Sequence, residues 1–200
     1  MAGTALNYEP TKILVGPGKL WAGLAIPADD ARITLDPDGT PDATANPNAL
    51  HLGYTREGST VNITPSFEGF NADEFAAPIK TKMVGLEMSL EFESLQVSDF
   101  DVMTKLVSGY GTYAAPTGFK EMRFGIGTQA YESIAFIYPT EADPTLYGVV
   151  NIYQAYCETG ISAMQINRQQ LSGVNCKFIG IDVTTRSADD TQGIWWEETA

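Results

Sequence analysis

Histidine and cysteine are scarce in this chain, and their scarcity removes most of the chemistry a protein can perform. His51 is the single histidine. It falls in an alternating apolar stretch with no serine or cysteine motif around it, so a structural role is expected of it. Cys157 and Cys176 are the only cysteines. They make neither a C-x-x-C pair nor a disulfide framework, and both fall in expected strands as buried thiols that behave as small hydrophobes. G-x-S-x-G, H-E-x-x-H, the P-loop and G-x-G-x-x-G are all missing. Gly125-Ile126-Gly127 lacks the third glycine and a following helix, so it signals a hairpin. Basic residues are also few, 12 against 25 acids, for a formal charge of −13. Such a surface stays soluble and repels nucleic acid, which argues against any function that grips DNA. The longest apolar-looking run, Leu20–Ile26, is too short to span a bilayer. MAGTALNYEP has no basic n-region or apolar h-region, so no signal peptide is expected, and the thiols are expected to stay reduced.

What the chain does have is a long alternating stretch followed by a change of period. From Lys80 to Glu93, Val84, Leu86, Met88, Leu90 and Phe92 fall on one face, and Glu87, Glu91 and Glu93 fall on the other. Side chains two apart share a face of a strand, so this predicts one unusually long half-buried strand. Phe100, Met103, Leu106 and Val107 then recur at helical spacing behind Ser98 as N-cap, with Asp99 and Asp101 in the first turn, which predicts a helix over 98–107. The five apolar side chains of the strand are expected to pack under that helix.

The other elements read as follows. Residues 1–11 are an arm. Lys12–Val15 and Lys19–Ala25 are short strands around Gly16-Pro17-Gly18. Residues 27–47 hold four prolines and five aspartates with only Ile33 and Leu35 as apolar anchors, an extended acidic loop. Leu50, Leu52 and Tyr54 alternate up to a turn at Arg56-Glu57-Gly58, and Thr60–Thr64 resumes as a strand. Residues 65–78 carry Phe67, Phe70 and Phe75 without a clean period, a long loop that either docks onto another molecule or folds back onto its own core. Ser108–Gly118 is a loop, and Glu121–Ile126 and Tyr131–Tyr138 are a hairpin around Gly127-Thr128-Gln129. Tyr147–Cys157 and Val174–Thr184 are long strands with apolar residues on both faces, as in a central strand or one whose outer face meets another subunit. Residues 186–200 are a polar arm in which Ile194, Trp195 and Trp196 are candidate interface anchors. No linker divides the chain, so 1–200 is expected to be one mainly-β domain.

Two acidic groups invite a chemical role. Asp36, Asp38 and Asp42 have calcium-loop spacing but lack flanking helices and the later glutamate, so a solvated turn is expected and no metal. Glu91 and Glu93 stand about 7 Å apart along a strand, a separation glycosidases can use, but on an open face. Solvated or lumen-facing charge fits them better, and no catalytic residue or cofactor is expected.

The order of these features resembles the major tail tube proteins of long-tailed bacteriophages, the family that includes tail proteins of lambda-like phages. The matching stretches are Leu52–Val61, Asn71–Phe75 leading to Pro78-Ile79-Lys80, the strand Val84–Glu93 with the helix after it, and the late pair of long strands, so the likeness covers roughly 50–184. It implies a β-sandwich or rolled sheet with one flanking helix, similar to type VI secretion tube proteins. It also implies rings of six subunits sharing an inner β-barrel and stacked into a tube around the tape measure protein. Tail terminator and tail tip proteins would be further partners, and DNA would pass through without specific binding. The location implied is the virion tail, assembled in the host cytoplasm, with no membrane and no enzymatic activity.

Elementary electrostatics agrees with that expectation. Lysines along a DNA channel would bind phosphates and stall transit, whereas carboxylates repel the polyanion from every side. Glu87, Glu91 and Glu93 are therefore expected to face the lumen, and Phe67, Phe70, Phe75, Ile194, Trp195 and Trp196 to make ring or subunit contacts. Two alternatives from other classes are a capsid decoration or head–tail joining protein, and a carbohydrate-binding β-sandwich that uses its aromatics as stacking platforms.

Overall fold

The computed structural model of the chain describes residues 18–29, 31–53, 55–70, 80–95, 99–109, 111–141, 143–159 and 173–199. The expected N-terminal arm, the Lys12–Val15 strand, Phe75 and Ser98 lie outside them. The described residues are mainly β with one helix: β1 (Lys19–Ala22), β2 (Leu50–His51), β3 (Thr55–Phe70), β4 (Lys80–Ser94), α1 (Phe100–Leu106), β5 (Gly111–Ala114), β6 (Glu121–Phe124), β7 (Glu132–Pro139), β8 (Tyr147–Cys157), β9 (Val174–Gly180) and β10 (Gly193–Glu197).

Eight strands form one sheet in the order β2-β1-β7-β8-β9-β4-β3, with β10 also pairing β8. Every ladder is antiparallel. That order forces curvature. Seven strands laid flat would separate the two outer ones by about 29 Å, yet His51 and Thr55, at the two ends of the order, are joined by three residues that reach about 14 Å at most. The sheet therefore rolls until its ends meet, and the Ser94 hydroxyl donates to the Leu52 carbonyl at 3.4 Å across the closure.

Inside the roll lies the main core. Met88, Leu90 and Phe92 of β4 meet Leu20 and Ala22 of β1, Ile134 of β7, Ile152 of β8, Phe178 of β9 and Val102, Met103 and Leu106 of α1. Phe92 and Phe178 stack with centroids 5.9 Å apart. The helix is shorter than expected. Asp99 caps it by accepting from the Asp101 amide at 3.0 Å, and Lys105 in the last turn suits the negative end of the dipole. Ser108 follows in the left-handed region at φ 44° and its hydroxyl accepts from the Cys157 amide at 2.7 Å.

The outer face of β7 and β8 carries a second, smaller core, and here several expectations are corrected. Ala135, Ile137 and Val149 are buried there under Leu24 and Ile33, with Leu35 and Trp196 packed alongside. The acidic stretch 27–47 is thus a cover for the sheet, and it supplies within the chain the outer-face burial that might have come from another subunit. Residues 193–197, expected as part of a polar arm, are strand β10. The expected Arg56–Gly58 turn is an irregularity inside β3, a register shift between Thr55 and Ser59. Residues 65–70, expected as loop, continue β3. The expected hairpin of 121–126 with 131–138 is not formed: β6 pairs with β5, and β7 pairs with β1 and β8.

Candidate functional site

β4 is longer than the core beneath it. Its pairing with β9 covers only Ser89–Ser94. Among the described residues, 80–88 therefore have a strand on one side only, β3, and the two strands run on as a two-stranded ribbon for about 30 Å. Isolated two-stranded ribbons are marginal in water, so one that projects needs support from elsewhere.

The register sorts the ribbon into two chemically opposite faces. Val61 pairs with Leu90, Ile63 with Met88 and Pro65 with Leu86, so apolar meets apolar on one face. Thr60 pairs with Glu91, Asn62 with Ser89 and Thr64 with Glu87 on the other. At Ser66/Phe67 a register shift leaves Val84 as the extra, unpaired β4 residue, and beyond it Met83 stands opposite Phe67 and Lys82 opposite Glu68. The apolar face is core only in its proximal part. Met88, Leu90 and Phe92 are buried, whereas Ile63, Val84 and Leu86 are 45%, 55% and 36% exposed. The expectation that all five apolar β4 side chains lie under the helix is thus corrected for Val84 and Leu86: α1 and its core end at Met88, and the alternation continues past them.

One side chain fixes the point where the ribbon leaves the body. The Met88 amide donates to Gln192 Oε1 at 3.0 Å, and Gln192 Nε2 donates to the Leu86 carbonyl. Gln192 thereby occupies the β4 edge where β9 has stopped, and its own carbonyl accepts from the Tyr153 amide of β8 at 2.9 Å. Sequence reasoning missed this residue, because nothing in a lone glutamine before a glycine indicates a strand-edge clamp.

Glu87 and Glu91 are exposed on the polar face and Glu93 is half-buried. Along the strand Glu87 and Glu91 stand about 14 Å apart. Asn62 Nδ2 lies 3.5 Å from Glu91 Oε1 as its donor. A cation also stands on this face: Lys177 pairs with Glu91 across the β4–β9 ladder and bridges to Glu158 at 3.2 Å. Glu158 raises the Lys177 pKa, with smaller contributions from Glu91 and Glu87. The row of acids is therefore flanked by a paired lysine, which only the β4–β9 pairing brings there. Glu91 and Glu93 rim a depression of 490 Å³ on the face of the sheet.

The remaining candidate residues fall apart in space. Phe67 is 63% exposed on the ribbon; of Phe70 only the backbone is described, opposite Lys80. Ile194, Trp195 and Trp196 are held by β10 against β8. Trp196 sits on the second core under the Arg32 guanidinium, 5.8 Å from its ring centroid. Trp195 is half-exposed and its Nε1 donates to Tyr138 Oη at 2.7 Å, which in turn donates to Glu197 at 2.7 Å. Burial and the Glu197 acceptor push the Tyr138 pKa far above its ordinary value. His51 packs edge-on against Trp21 at 5.1 Å, and its Nδ1 accepts from the Gly53 amide at 3.3 Å. Among the described residues, no group of three or more His, Cys, Asp or Glu is placed to hold a metal ion, and no helix is long and apolar enough to cross a membrane. No protein-family model matches the chain, and no curated protein matches it in sequence.

Proposed function

We propose that this chain is a structural subunit that closes into rings, six-membered if the resemblance holds, whose stacking makes an acid-lined conduit of the viral tail tube type. The observation that carries this is the amphipathic ribbon: its apolar face outruns the subunit's own core while its opposite face bears Glu87 and Glu91. Covering Ile63, Val84 and Leu86 with a neighbouring copy would bring roughly 0.7–1.5 kcal/mol per side chain, since each is already about half-buried. Repetition around an axis would turn each exposed glutamate into a ring of negative charge, which keeps a passing polyanion off the wall. Of the cations on this face, Lys177 is matched by Glu158 and Lys82 stands opposite Glu68, while Lys80 lies at the distal end of the ribbon.

In that role the chain's first partner is itself, with the tape measure protein inside during assembly and terminator and tip proteins at the ends. DNA passes without being held, and the finished location is the virion tail. Negative-stain microscopy of concentrated protein tests the proposal. Rings or tubes with a central lumen are the expected result; monomers or compact trimers at every concentration would overturn it and favour a capsid decoration or head–tail joining protein.

A further inference from the structure

The body of the molecule has two chemically unlike ends. β7 and β8 run between them over about 25 Å. At one end Glu132 pairs with Ala155, and Ser108 ties the segment after α1 to that end by accepting from the Cys157 amide and, through its carbonyl, from the Ala130 amide at 2.9 Å. The β5–β6 hairpin and the residues after it lie here. They display Phe119, Phe124 and Ile126, at 61%, 60% and 110% exposure, together with the cations Lys120 and Arg123. Arg123 has Glu121 beside it, and no partner is recorded for Lys120 among the described residues.

At the other end Pro139 pairs with Tyr147, and the turns 36–42 and 140–146 come together. Gly39 packs on the Tyr147 ring, and the Tyr147 amide donates to Glu198 at 2.8 Å. A groove of 560 Å³ runs between these turns, with Leu35 and Leu146 in its wall and Asp36, Glu197 and Glu198 against the single cation Arg32 in its lining. Asp38, Glu141 and Asp143 belong to the same two turns, with Lys19 donating to the Asp38 carbonyl at 3.2 Å. Asp38 and Asp143 accept hydrogen bonds from the Thr40 and Thr145 hydroxyls and amides, which hold both pKa values low and both groups ionised.

We propose that these two ends dock on each other between copies of this chain: the cationic, apolar 119–126 segment of one subunit seats against the acidic groove of the next. The proposal rests on the reading of the chain as a self-assembling subunit and assigns it a head-to-tail contact. Such a contact is heterologous, so its repetition propagates along a line instead of closing a pair. Two observations favour a second copy as the occupant. The apolar residues on the hairpin are too exposed to serve the subunit's own core, and the groove at the other end combines apolar walls with an excess of carboxylates over Arg32, which complements Lys120 and Arg123.

The test is a charge swap read by sedimentation and by microscopy. Lys120→Glu with Arg123→Glu, and separately Asp36→Lys with Glu141→Lys, should each weaken self-association by about tenfold or more at low salt. The chain carrying all four substitutions should recover most of that loss, which misfolding of either pair could not produce. Raising the salt to about 0.5 M should weaken the wild type in the same direction. A wild type that stays monomeric at about millimolar concentration, or a four-fold variant no better than the pairs, would overturn the contact. Failure of the tube reading looks different. Wild-type strands without a lumen would sink the tube and leave the contact standing; lumen-bearing tubes formed equally well by Lys120→Glu/Arg123→Glu would sink the contact and leave the tube.

Discussion

Replacing Gln192 with alanine removes the clamp at the root of the ribbon, and the cost can be worked from its two partners. The Leu86 carbonyl belongs to a residue that is 36% exposed, so water can replace Gln192 Nε2 there. The Met88 amide has no such recourse, since Met88 is 4% exposed and its only described acceptor is Gln192 Oε1. One ordinary hydrogen bond lost, at about 1 kcal/mol net, and one buried donor left unsatisfied give about 2–3 kcal/mol of destabilisation. In a chain of this size that lowers the melting temperature by roughly 5–10 °C. Thermal unfolding of dilute protein measures it, and hydrogen exchange should show the Met88 amide losing protection. Gln192→Glu adds a signed check. An ionised carboxylate accepts from Met88 but faces the Leu86 oxygen without a proton, so the folded state raises the pKa of that carboxyl above its unfolded value. The folded state then binds the proton more tightly, and stability relative to wild type recovers as pH falls from 7 toward about 4. A Gln192→Ala variant within about 0.5 kcal/mol of wild type, together with a Gln192→Glu deficit that is flat in pH, would refute the clamp.

Burial, and secondarily the charge of Lys19, lowers the His51 pKa below its ordinary 6.5. The unfolded chain then binds the proton more readily, so stability falls as pH drops below about 6.5, and His51→Gln should flatten that part of the pH–stability curve. Glu87→Lys with Glu91→Lys should leave assembly possible on sizing columns while impairing DNA delivery in an infectivity assay; unchanged infectivity would mean that this face does not meet DNA. Val84→Ser with Leu86→Ser should cost the monomer about 1–2 kcal/mol, because the two side chains are only about half-buried, yet should abolish assembly. Leu90→Ser, two turns of the pleat further into the core, should destabilise the monomer itself.

The alternation from Lys80 to Glu93 made β4 and its two faces legible, because a period of two is local and strong. Where that strand would find cover was not legible. Val84 and Leu90 are equivalent in pattern, and only the end of α1 and of β9 makes one exposed and the other buried. β3 was underestimated because Pro65 and Gly69 interrupt the pattern around Phe67 and Phe70, yet an antiparallel ribbon tolerates a proline whose missing amide faces an unpaired edge. The pairing of β6 with β5 instead of β7 was beyond sequence reasoning, since either hairpin satisfies the turn signals at Gly118 and Gly127. Ile33 and Leu35 were visible as anchors in an acidic loop, but that they would close a second core on β7 and β8 depends on the roll of the sheet, a property of the whole order of strands.

The roll itself bears on why the ribbon stays unsatisfied. A sheet whose ends are tied by three residues closes on one core, and that closure consumes Met88, Leu90 and Phe92 on the inner face and Ser89–Ser94 on the edge. β3 and β4 are longer than this by nine residues of β4, and no other described strand extends beside them. Ile63, Val84 and Leu86 on that extension are not part of the described core. Gln192 sharpens the point, because it fills the β4 edge just where the body ends and leaves the outer edge of β3 as the long unpaired one. Natural sheets blunt such edges with charge, bulges or brevity. Here the ladder carries two such irregularities and β3 carries Pro65, and between them Val61 and Ile63 stay paired with Leu90 and Met88 on the apolar face. In the assembly proposed above a neighbouring copy covers that apolar face, a use for the ribbon that a monomeric binding module would not have.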